Sequence, residues 1–330
     1  MLTDHLPRVS IAHLPTPLEP LPRLSSQLEG PEIWVKRDDQ TGLATGGNKT
    51  RKLEFLVADA LRYEANVLIT CGAEQSNHAR QTAAAAAKFG LDSLLVLQGS
   101  RPPKRKGNLL LDHLLGARVI WAGDDALETR MDEAANQLQG EGRRPYIVPY
   151  GGSNQLGITG YVAALEECLE QCEGRDLTFD RIVLPSSSGG TQAGLVVAAR
   201  ALGYQGEILG ISVDLEADAL RTTLAELATA TADYLGLDLG LEPGDFAVDD
   251  GYLGGGYGVV SDLERDAIEA LARTEGLLLD PVYTGRAFGG LLDLIHRDTF
   301  GHDERILFWH TGGTAGLFGK ADTLSPTQST

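Results

Sequence analysis

Gly46-Gly47-Asn48-Lys49-Thr50-Arg51-Lys52-Leu53-Glu54 takes the chain from a glycine-rich loop into an amphipathic helix. Apolar residues recur at helical spacing from Leu53 onward, and Lys49 stands one turn earlier on the same face. A lysine at the buried start of a helix loses hydration and feels the positive end of the helix dipole, and both effects lower its pKa. An amine with a lowered pKa can form a Schiff base.

The same stretch has a second explanation without chemistry. Lys49 would extend into water, or the helix start would bind an anion. For one isolated motif of this kind, the second explanation is the commoner one. Lys52 lies four residues before Leu56 on the same face, so it shares both explanations. The other motifs of the chain have to decide between them.

Composition limits the class of protein. The chain has 330 residues and 42% hydrophobic content, which predicts a large core and more than one domain. No apolar run reaches about 18 residues and the N-terminus lacks a signal pattern, so we expect neither a membrane span nor secretion. Three cysteines at irregular spacing form no disulfide framework and indicate a reducing cytoplasm.

Charge and cysteine spacing argue against three kinds of partner. The formal net charge of -18 argues against nucleic acid or an anionic membrane as a partner. Cys168 and Cys172 share a helix face with no histidine nearby, which is typical of ordinary packing and predicts no metal site.

Short apolar runs alternate with helical patterns from residue 67 onward, as in repeated βαβ units. Two such series, separated by Gly151-Gly152, predict two doubly wound α/β domains with a cleft between them. Residues 242–256 are predicted to be irregular, and 324–330 to fray. The predicted strands are Val67–Cys71, Leu94–Leu97, Arg118–Trp121, Tyr146–Val148, Ile182–Leu184, Ile208–Val213 and Ile306–Trp309.

Two loops that follow predicted strands are suited to binding anions. Ser76 can cap the helix after the first strand, where free amides attract a carboxylate, and Asn77 and His78 add donors. The loop 186–194 has backbone amides, small hydroxyls and a helix start, which together form a phosphate cradle. It lacks the lysine of a Walker A loop and the GxGxxG pattern, so it favours a phosphate monoester over nucleotides.

Two further loops, 280–285 and 310–314, bring Tyr283 and Thr311 to strand ends. A core aromatic and a strand-end cap are the ordinary explanations for these two residues. A lysine, a carboxylate site and a phosphate cradle on one α/β frame nevertheless share an obvious ligand. Pyridoxal phosphate (PLP) needs an amine, a phosphate site and a partner for its ring nitrogen.

These motifs resemble, in order and spacing, those of fold-type II (tryptophan synthase β-like) PLP enzymes. The sequence is most similar to the branch that holds D-cysteine desulfhydrase, 1-aminocyclopropane-1-carboxylate (ACC) deaminase and L-cysteate sulfo-lyase. The stretches that carry the resemblance are Pro15–Leu18, Lys36–Asp39, Gly46–Glu54, Gln75–Ala84, Gly151–Asn154, Gly189–Gly194, Tyr257-Gly258, Leu279–Gly285 and His310–Gly313.

The resemblance implies roles for residues of this chain. Lys49 would carry the PLP Schiff base and then remove the substrate α-proton. Ser76, Asn77 and His78 would bind the substrate carboxylate, with Asn77 also near the ring hydroxyl, and Thr284 would contact the substrate. Tyr257 and Tyr283 would face the substrate, and the hydroxyl of one of them would aid the departing sulfide. The remaining cofactor contacts would be made by Lys52, Ser188, Gly189, Gly190, Thr191 and Thr311.

The resemblance also implies a domain division and a partner. Residues 50–160 would form the small α/β domain, and 1–49 with 161–330 the large PLP-binding domain. The cofactor would lie in the cleft between the two domains. The enzyme would be a cytoplasmic homodimer that acts on a small amino acid.

Two positions separate the members of the branch. ACC deaminases carry a glutamate after the Tyr283 position and a leucine at the Thr311 position, whereas this chain has Thr284 and Thr311, as desulfhydrases do. A threonine can only hydrogen-bond to the ring nitrogen and leaves it neutral, which suits β-elimination. We therefore expect D-cysteine to be cleaved to pyruvate, hydrogen sulfide and ammonia. L-cysteate sulfo-lyase is the alternative, and ACC deaminase is less favoured.

Some features depart from the desulfhydrase pattern. Glu74 stands where an apolar residue is expected, the proline after Tyr257-Gly258-Val259 is missing, and the loop 101–106 is short and basic. A sulfonate substrate would need cations, which Arg286 or this loop would have to supply. A PLP carrier without catalysis would not need Ser76 and two tyrosines. A nicotinamide dehydrogenase would show GxGxxG after its first strand.

Overall fold

The computed structural model describes residues 1–324, which form two parallel sheets flanked by helices. The strands are β1 Leu18–Pro20, β2 Glu32–Arg37, β3 Val67–Gly72, β4 Asp92–Leu97, β5 Arg118–Trp121, β6 Pro145–Ile147, β7 Arg181–Ser186, β8 Glu207–Ser212, β9 Ala247–Asp249 and β10 Arg305–His310. The helices are α1 Pro22–Leu28, α2 Lys49–Arg62, α3 Asn77–Lys88, α4 Gly107–Leu114, α5 Leu127–Gly140, α6 Gln155–Glu173, α7 Gly190–Leu202, α8 Ala217–Leu235, α9 Asp262–Glu275, α10 Thr284–His296, α11 Ala315–Gly319 and α12 Ala321–Leu324.

The larger sheet has six strands in the order β1-β2-β10-β7-β8-β9, all parallel except β1. Phe308 of β10 lies opposite Val35 on one side and Val183 on the other. Alternate residues of β10 point to opposite faces, so Phe308 enters one core and Trp309 the other. Both faces of this sheet are therefore buried, as apolar runs in parallel strands predict.

The smaller sheet has four parallel strands in the order β5-β4-β3-β6. The predicted α/β architecture with parallel sheets is confirmed. The domain boundaries stay a prediction, and the second one, at residue 160, falls inside the continuous helix α6. The start of α6 packs in the core beside the smaller sheet through Leu156, and the rest packs in the core of the larger sheet.

Three strands, β1, β2 and β9, were missing from the sequence prediction. β2 has no clear apolar pattern because Lys36 and Arg37 interrupt it. Lys36 is nevertheless fully buried, and its charge is compensated because its Nζ lies 2.6 Å from the carboxylate of Glu167. β9 falls in residues 242–256, which were predicted to be irregular. That prediction was wrong at this strand, where Ala247 pairs with Leu209 of β8. Residues 325–330 of the end predicted to fray lie outside the described residues.

Within residues 1–324, none of the helices combines the length and the apolar character needed to cross a bilayer.

A buried ion network fixes the start of α2. Arg51 donates two hydrogen bonds to Asp38, at 2.8 and 2.9 Å, and two to Glu167. Asp38 also accepts from Thr16, Tyr161 and Trp309. Burial alone would raise the pKa of Asp38, but the charge of Arg51 holds it below its ordinary value. The network therefore stabilises the fold at neutral pH, and its contribution is lost in acid as Asp38 becomes protonated.

We expect Asp38→Ala to destabilise the protein by roughly 3–5 kcal/mol, because Arg51 would keep its charge in a buried site with half of its partners gone. Urea unfolding followed by circular dichroism measures this loss. Asp218→Ala removes an exposed carboxylate that pairs with Arg221, and it should leave the midpoint nearly unchanged. Equal midpoints for the two variants would contradict this account of the network.

Candidate active site

A cavity of about 650 Å³ lies where loops after β3, β6, β7 and β10 meet, so both sheets contribute to it. Ligands bind at the carboxyl ends of strands in open α/β sheets, and this cavity has that position. It is lined by Asn48, Lys49, Ala73, Ser76, Asn77, His78, Tyr150, Gly151, Pro185, Ser186, Ser187, Ser188, Gly189, Thr191, Tyr257, Tyr283 and Thr311.

A larger and more open groove, of about 1880 Å³, lies between α7, α8 and the β8–β9 edge. Its guanidinium groups are already paired, Arg200 with Asp245 and Arg221 with Asp218. None of the described residues that line the groove is a lysine. The groove is larger than the cavity, but its guanidinium groups are already paired with carboxylates. The cavity at Lys49 is therefore the candidate active site.

Lys49 is the first residue of α2 and lines the cavity. Burial lowers the pKa of Lys49 to about 8, in the direction predicted from the sequence. A substantial fraction of this amine is therefore uncharged near neutral pH, as nucleophilic and base chemistry requires.

Lys52 lies one turn further along α2 and is fully buried. Its Nζ donates to the backbone oxygen of Gly151 at 3.1 Å and to Ser153 Oγ at 3.0 Å. Burial, and then the charge of Lys49, lower the pKa of Lys52 well below its ordinary value. Lys52 does not line the cavity itself but supports the loop that does.

The glycine loop after β7 forms a concave wall of the cavity. Gly189 has a φ of 76°, in the left-handed region that favours glycine, and α7 begins at Gly190. A Cβ on Gly190 would come within 2.5 Å of Ser153 Oγ and 2.7 Å of Lys52 Nζ, so Gly190 lies behind the wall. Thr191 Oγ1 accepts from Asn48 at 3.0 Å.

This loop fits a phosphate group. It combines the amides at a helix N-terminus with the hydroxyls of Ser188 and Thr191 and a lysine behind the loop. A side chain at Gly190 would collide with that lysine, so glycine at this position leaves room for Lys52 behind the loop.

Ser76 caps α3, as predicted, because its Oγ accepts from the amide of Ala79 at 3.1 Å. The first amides of α3 have no partner within the helix, and such amides attract a carboxylate. Burial, together with Lys49 and Lys52, lowers the pKa of His78 well below its ordinary value, so the ring is neutral. This helix start can therefore bind a carboxylate through amides rather than through a charged side chain.

Asn77 is oriented by a residue that the sequence analysis did not identify. Asn77 Oδ1 accepts from Asn108 Nδ2 at 2.8 Å, which leaves the Asn77 amide nitrogen free to donate into the cavity. Asn108 is fully buried and also bonds to Gln75 and Arg80. It is the second residue of α4, and no sequence pattern marked it as part of the site.

Tyr257 and Tyr283 meet at one end of the cavity. Their hydroxyl oxygens are 2.5 Å apart and their rings are tilted by 71°. Burial raises the pKa of Tyr257 to about 12 and that of Tyr283 well above its ordinary value. Both hydroxyls are therefore protonated and can donate. The missing proline after Val259 does not keep Tyr257 away from the site.

The two threonines predicted to mark the branch have different surroundings. Thr311 lines the cavity, as predicted. Thr284 is not among the described residues that line it, and its contact with the substrate stays a prediction. Its Oγ1 donates to Asp280 Oδ1 at 2.8 Å and accepts from the Asp280 amide at 2.7 Å. Thr284 thus holds the turn that carries Tyr283.

Three charged features flagged in the sequence lie outside the cavity lining. Glu74 accepts from Gln75 at 3.2 Å. Arg286 is buried and donates to Glu264 at 2.7 Å and to the backbone oxygens of residues 213, 256 and 259. In the loop 101–106, Lys106 pairs with Asp322 and the arginines line a separate depression.

Comparison with known proteins gives the family. A family model described as "Pyridoxal-phosphate dependent enzyme" matches residues 9–312. The chain belongs to this family of PLP-dependent enzymes. The family predicted from the sequence is confirmed, and PLP is its cofactor.

Individual PLP enzymes are similar over nearly the whole chain. A D-cysteine desulfhydrase of Klebsiella pneumoniae (strain 342) is 46% identical over 321 residues, which cover 94% of this chain and 95% of the relative. The crystal structure of an ACC deaminase homologue superimposes with a TM-score of 0.91 and 40% identity, covering 98% of this chain and 97% of that one. Threonine deaminase isoform 2 of Solanum lycopersicum, at 17% identity and a TM-score of 0.66 over 94% and 82% of the chains, has the same fold.

The sequence analysis missed Tyr150 and did not single out Ser187. Tyr150 lies three residues after the end of β6 and precedes the glycines that were interpreted only as a turn between two series. Its position at a strand end was the available signal. Among residues 1–324, no group of three or more His, Cys, Asp or Glu side chains could hold a metal ion.

In the cofactor-free protein, we expect an amine-directed reagent to modify Lys49 with a midpoint near pH 8, because the uncharged amine is the reactive form. Free N-acetyl-lysine, with a pKa of about 10.4, should react about two pH units later. Peptide mapping across a pH series measures both. A Lys49 midpoint equal to that of the free amine would show that burial does not lower the pKa of Lys49.

Proposed function

We propose that this PLP-dependent enzyme is a carbon–sulfur lyase that converts D-cysteine to pyruvate, hydrogen sulfide and ammonia. The observation that carries the proposal is one cavity in which Lys49 lies between a helix start suited to a carboxylate and a loop suited to a phosphate, with tyrosine hydroxyls beside them. The similarity to a D-cysteine desulfhydrase over 94% of the chain supports the choice of substrate.

The residues that would hold the cofactor are those whose environment fits its groups. Lys49 would bind the aldehyde carbon. The phosphate would be bound by Ser188, Gly189 and Thr191, with Lys52 and Gly190 behind them. The ring would be contacted by Asn77 and Thr311. PLP supplies an electron sink that stabilises negative charge at the α-carbon of a bound amino acid.

Lys49 and the tyrosines would move the protons. A Lys49 amine with a pKa of about 8 can accept the α-proton, and a positioned base contributes roughly 10²–10⁴-fold. The first amides of α3 would hold the substrate carboxylate. Tyr283, hydrogen-bonded to Tyr257, would donate to the departing sulfur.

Thr311 favours elimination over ring opening. Among residues 1–324, no Asp or Glu lines the cavity, so no carboxylate would keep the cofactor ring nitrogen protonated. A hydroxyl leaves the ring neutral and the electron sink weaker. A weaker sink is sufficient when an adjacent leaving group takes the electrons, which supports β-elimination rather than ACC deamination.

The cavity also disfavours a sulfonate substrate. Of the described residues that line it, Lys49 is the one lysine and none is an arginine. Arg286 is occupied by Glu264 and by backbone oxygens. A sulfonate would therefore lack a cation, which weakens the L-cysteate alternative.

We also propose that the enzyme acts in the cytoplasm as a homodimer. The three cysteines are free and buried, which fits a reducing compartment. The dimer rests on family resemblance, and analytical ultracentrifugation of the purified protein tests it.

The test of function is pyruvate release from D-cysteine, L-cysteine, L-cysteate and ACC, measured in parallel with the visible spectrum. We expect pyruvate from D-cysteine, and we expect Lys49→Ala to abolish both turnover and the bound-cofactor band. Lys104→Ala, a change in an exposed loop, is the control and should behave as wild type. Pyruvate release from L-cysteate alone would show that the enzyme is an L-cysteate sulfo-lyase instead.

Tyr283→Phe should lower kcat for D-cysteine by roughly 10²-fold, because it removes the donor to the leaving sulfur. Tyr252→Phe is the matched control, since Tyr252 donates to Asp293 at 2.7 Å outside the cavity, and its kcat should stay close to wild type. Steady-state kinetics decide this. If Tyr257→Phe alone shows the loss, the donor is Tyr257 instead.

A further inference from the structure

Arg286 connects the loop that carries Tyr257 to the helix that follows Tyr283. It belongs to the first turn of α10, three residues after Tyr283, and is 1% exposed. Its Nη1 donates to the backbone oxygen of Gly256 at 3.1 Å, and its Nη2 donates to that of Val259 at 2.8 Å. These two oxygens come before and after Tyr257 in the chain, so one guanidinium holds the loop on both sides of that tyrosine.

The guanidinium is itself fixed by contacts outside the loop. Its Nη1 also donates to the backbone oxygen of Val213, just after β8, at 3.0 Å, and its Nε donates to Glu264 Oε1 at 2.7 Å. Glu264 is also 1% exposed, so the two buried charges compensate each other. The other carboxylate oxygen of Glu264 accepts from the amide and the hydroxyl of Ser261, which caps α9. The position of the guanidinium is therefore set by β8, α9 and α10.

The loop 253–259 has few other contacts that would fix it. Three of its four glycines have φ values between 55° and 104°, in the left-handed region that favours glycine. Tyr257 is 38% exposed, so packing holds it only in part. Among the described residues, Lys320 is the other side chain from outside the loop that donates to a backbone oxygen within it, to Gly258 at 3.2 Å. The position of Tyr257 thus depends chiefly on Arg286.

The contact between the two tyrosines depends on the position of this loop. Their hydroxyl oxygens are 2.5 Å apart, and Tyr257 is the partner that the loop supplies. If Tyr283 gives its single proton to the departing sulfur, its oxygen has to accept from Tyr257. Accepting that bond also makes the Tyr283 hydroxyl a stronger donor. A loop displacement of about 1 Å would break the bond and lose both effects.

We infer that Arg286 is a positioning residue, which places Tyr257 against Tyr283 for proton transfer to the leaving group. Arginine suits this task because its planar fork bonds to three segments of the chain at once, whereas the donors of a lysine diverge from one nitrogen. The inference rests on the proposed function in assigning this proton transfer to the tyrosine pair. It gives Arg286 a role other than binding a sulfonate.

The first test is Arg286→Lys, which keeps a buried positive charge beside Glu264. We expect kcat for D-cysteine to fall by roughly tenfold, because the tyrosine pair is displaced. KM should stay within about threefold of wild type, because the carboxylate and phosphate sites lie on other loops. Arg297→Lys is the matched control, since Arg297 pairs with Asp293 on the exposed end of the same helix, and its kcat should match wild type. An unchanged kcat in Arg286→Lys would overturn the inference.

A double-mutant cycle with Tyr257→Phe separates positioning from a general structural role. If Arg286 acts through Tyr257, Arg286→Lys should lower kcat by less than about twofold once the Tyr257 hydroxyl is gone. A residue that only stabilises the fold would lower kcat by the same factor in both backgrounds. Equal factors would overturn the inference, and so would a Tyr257→Phe variant with the kcat of wild type.

Arg286→Met combined with Glu264→Gln keeps the inference testable if Arg286→Lys does not fold. It removes both buried charges together, which proteins tolerate far better than the removal of one. The new amide oxygen can still accept from the Ser261 amide and cap α9. The same fall in kcat and the same dependence on the Tyr257 hydroxyl are expected. A kcat equal to that of wild type would contradict the positioning role.

Hydrogen–deuterium exchange of the PLP-loaded enzyme without substrate separates this inference from the proposed function. Peptides that cover 253–259 should exchange several-fold faster in Arg286→Lys than in wild type, while peptides from β3 should not change. Faster exchange of the loop without pyruvate from D-cysteine would remove the proposed function and leave the positioning of Tyr257. Cleavage of D-cysteine with unchanged exchange of the loop would overturn this inference alone.

Discussion

The carboxylate of Asp38 is the point on which the active site depends. It lies at the end of β2, is completely buried, and accepts from Arg51 of α2, Tyr161 of α6 and Trp309 of β10. Arg51 stands two residues after Lys49, so fixing its guanidinium fixes the first turn of α2. The position of the amine in the cavity is thus set by ion pairing between core residues that do not line the cavity.

The first turn of α2 combines three functions in four residues. Lys49 faces the cavity, Arg51 faces the core and Lys52 faces the glycine loop. Helical geometry separates these directions, since successive residues differ by about 100° around the axis. One short stretch can therefore align the proposed catalytic amine, the anchor and the proposed phosphate support with one another.

Much of this could be predicted from the sequence because it depends on local pattern. The apolar runs gave the core strands, and the strand-end loops gave Ser76, the glycine loop and Tyr283. Helical periodicity placed Lys49 on a buried face, and desolvation lowered its pKa as expected.

The parts that failed depend on contacts between residues far apart in the chain. β2 contains Lys36, whose burial makes sense only beside Glu167, more than a hundred residues later. Asn108 acts through Asn77, thirty-one residues away. Neither periodicity nor motif spacing contains that kind of information.

The pair of lysines at the start of α2 makes stability and cofactor loading a linked equilibrium. Lys49 and Lys52 lie one turn apart, and the contacts of Lys52 are a backbone oxygen and a hydroxyl rather than an acid. The polypeptide alone thus carries an uncompensated desolvation cost at this turn. A bound anion relieves that cost, and a ligand that binds only the native state shifts the unfolding equilibrium by mass action. Cofactor supply in the cell would then set the lifetime of the enzyme as well as its activity.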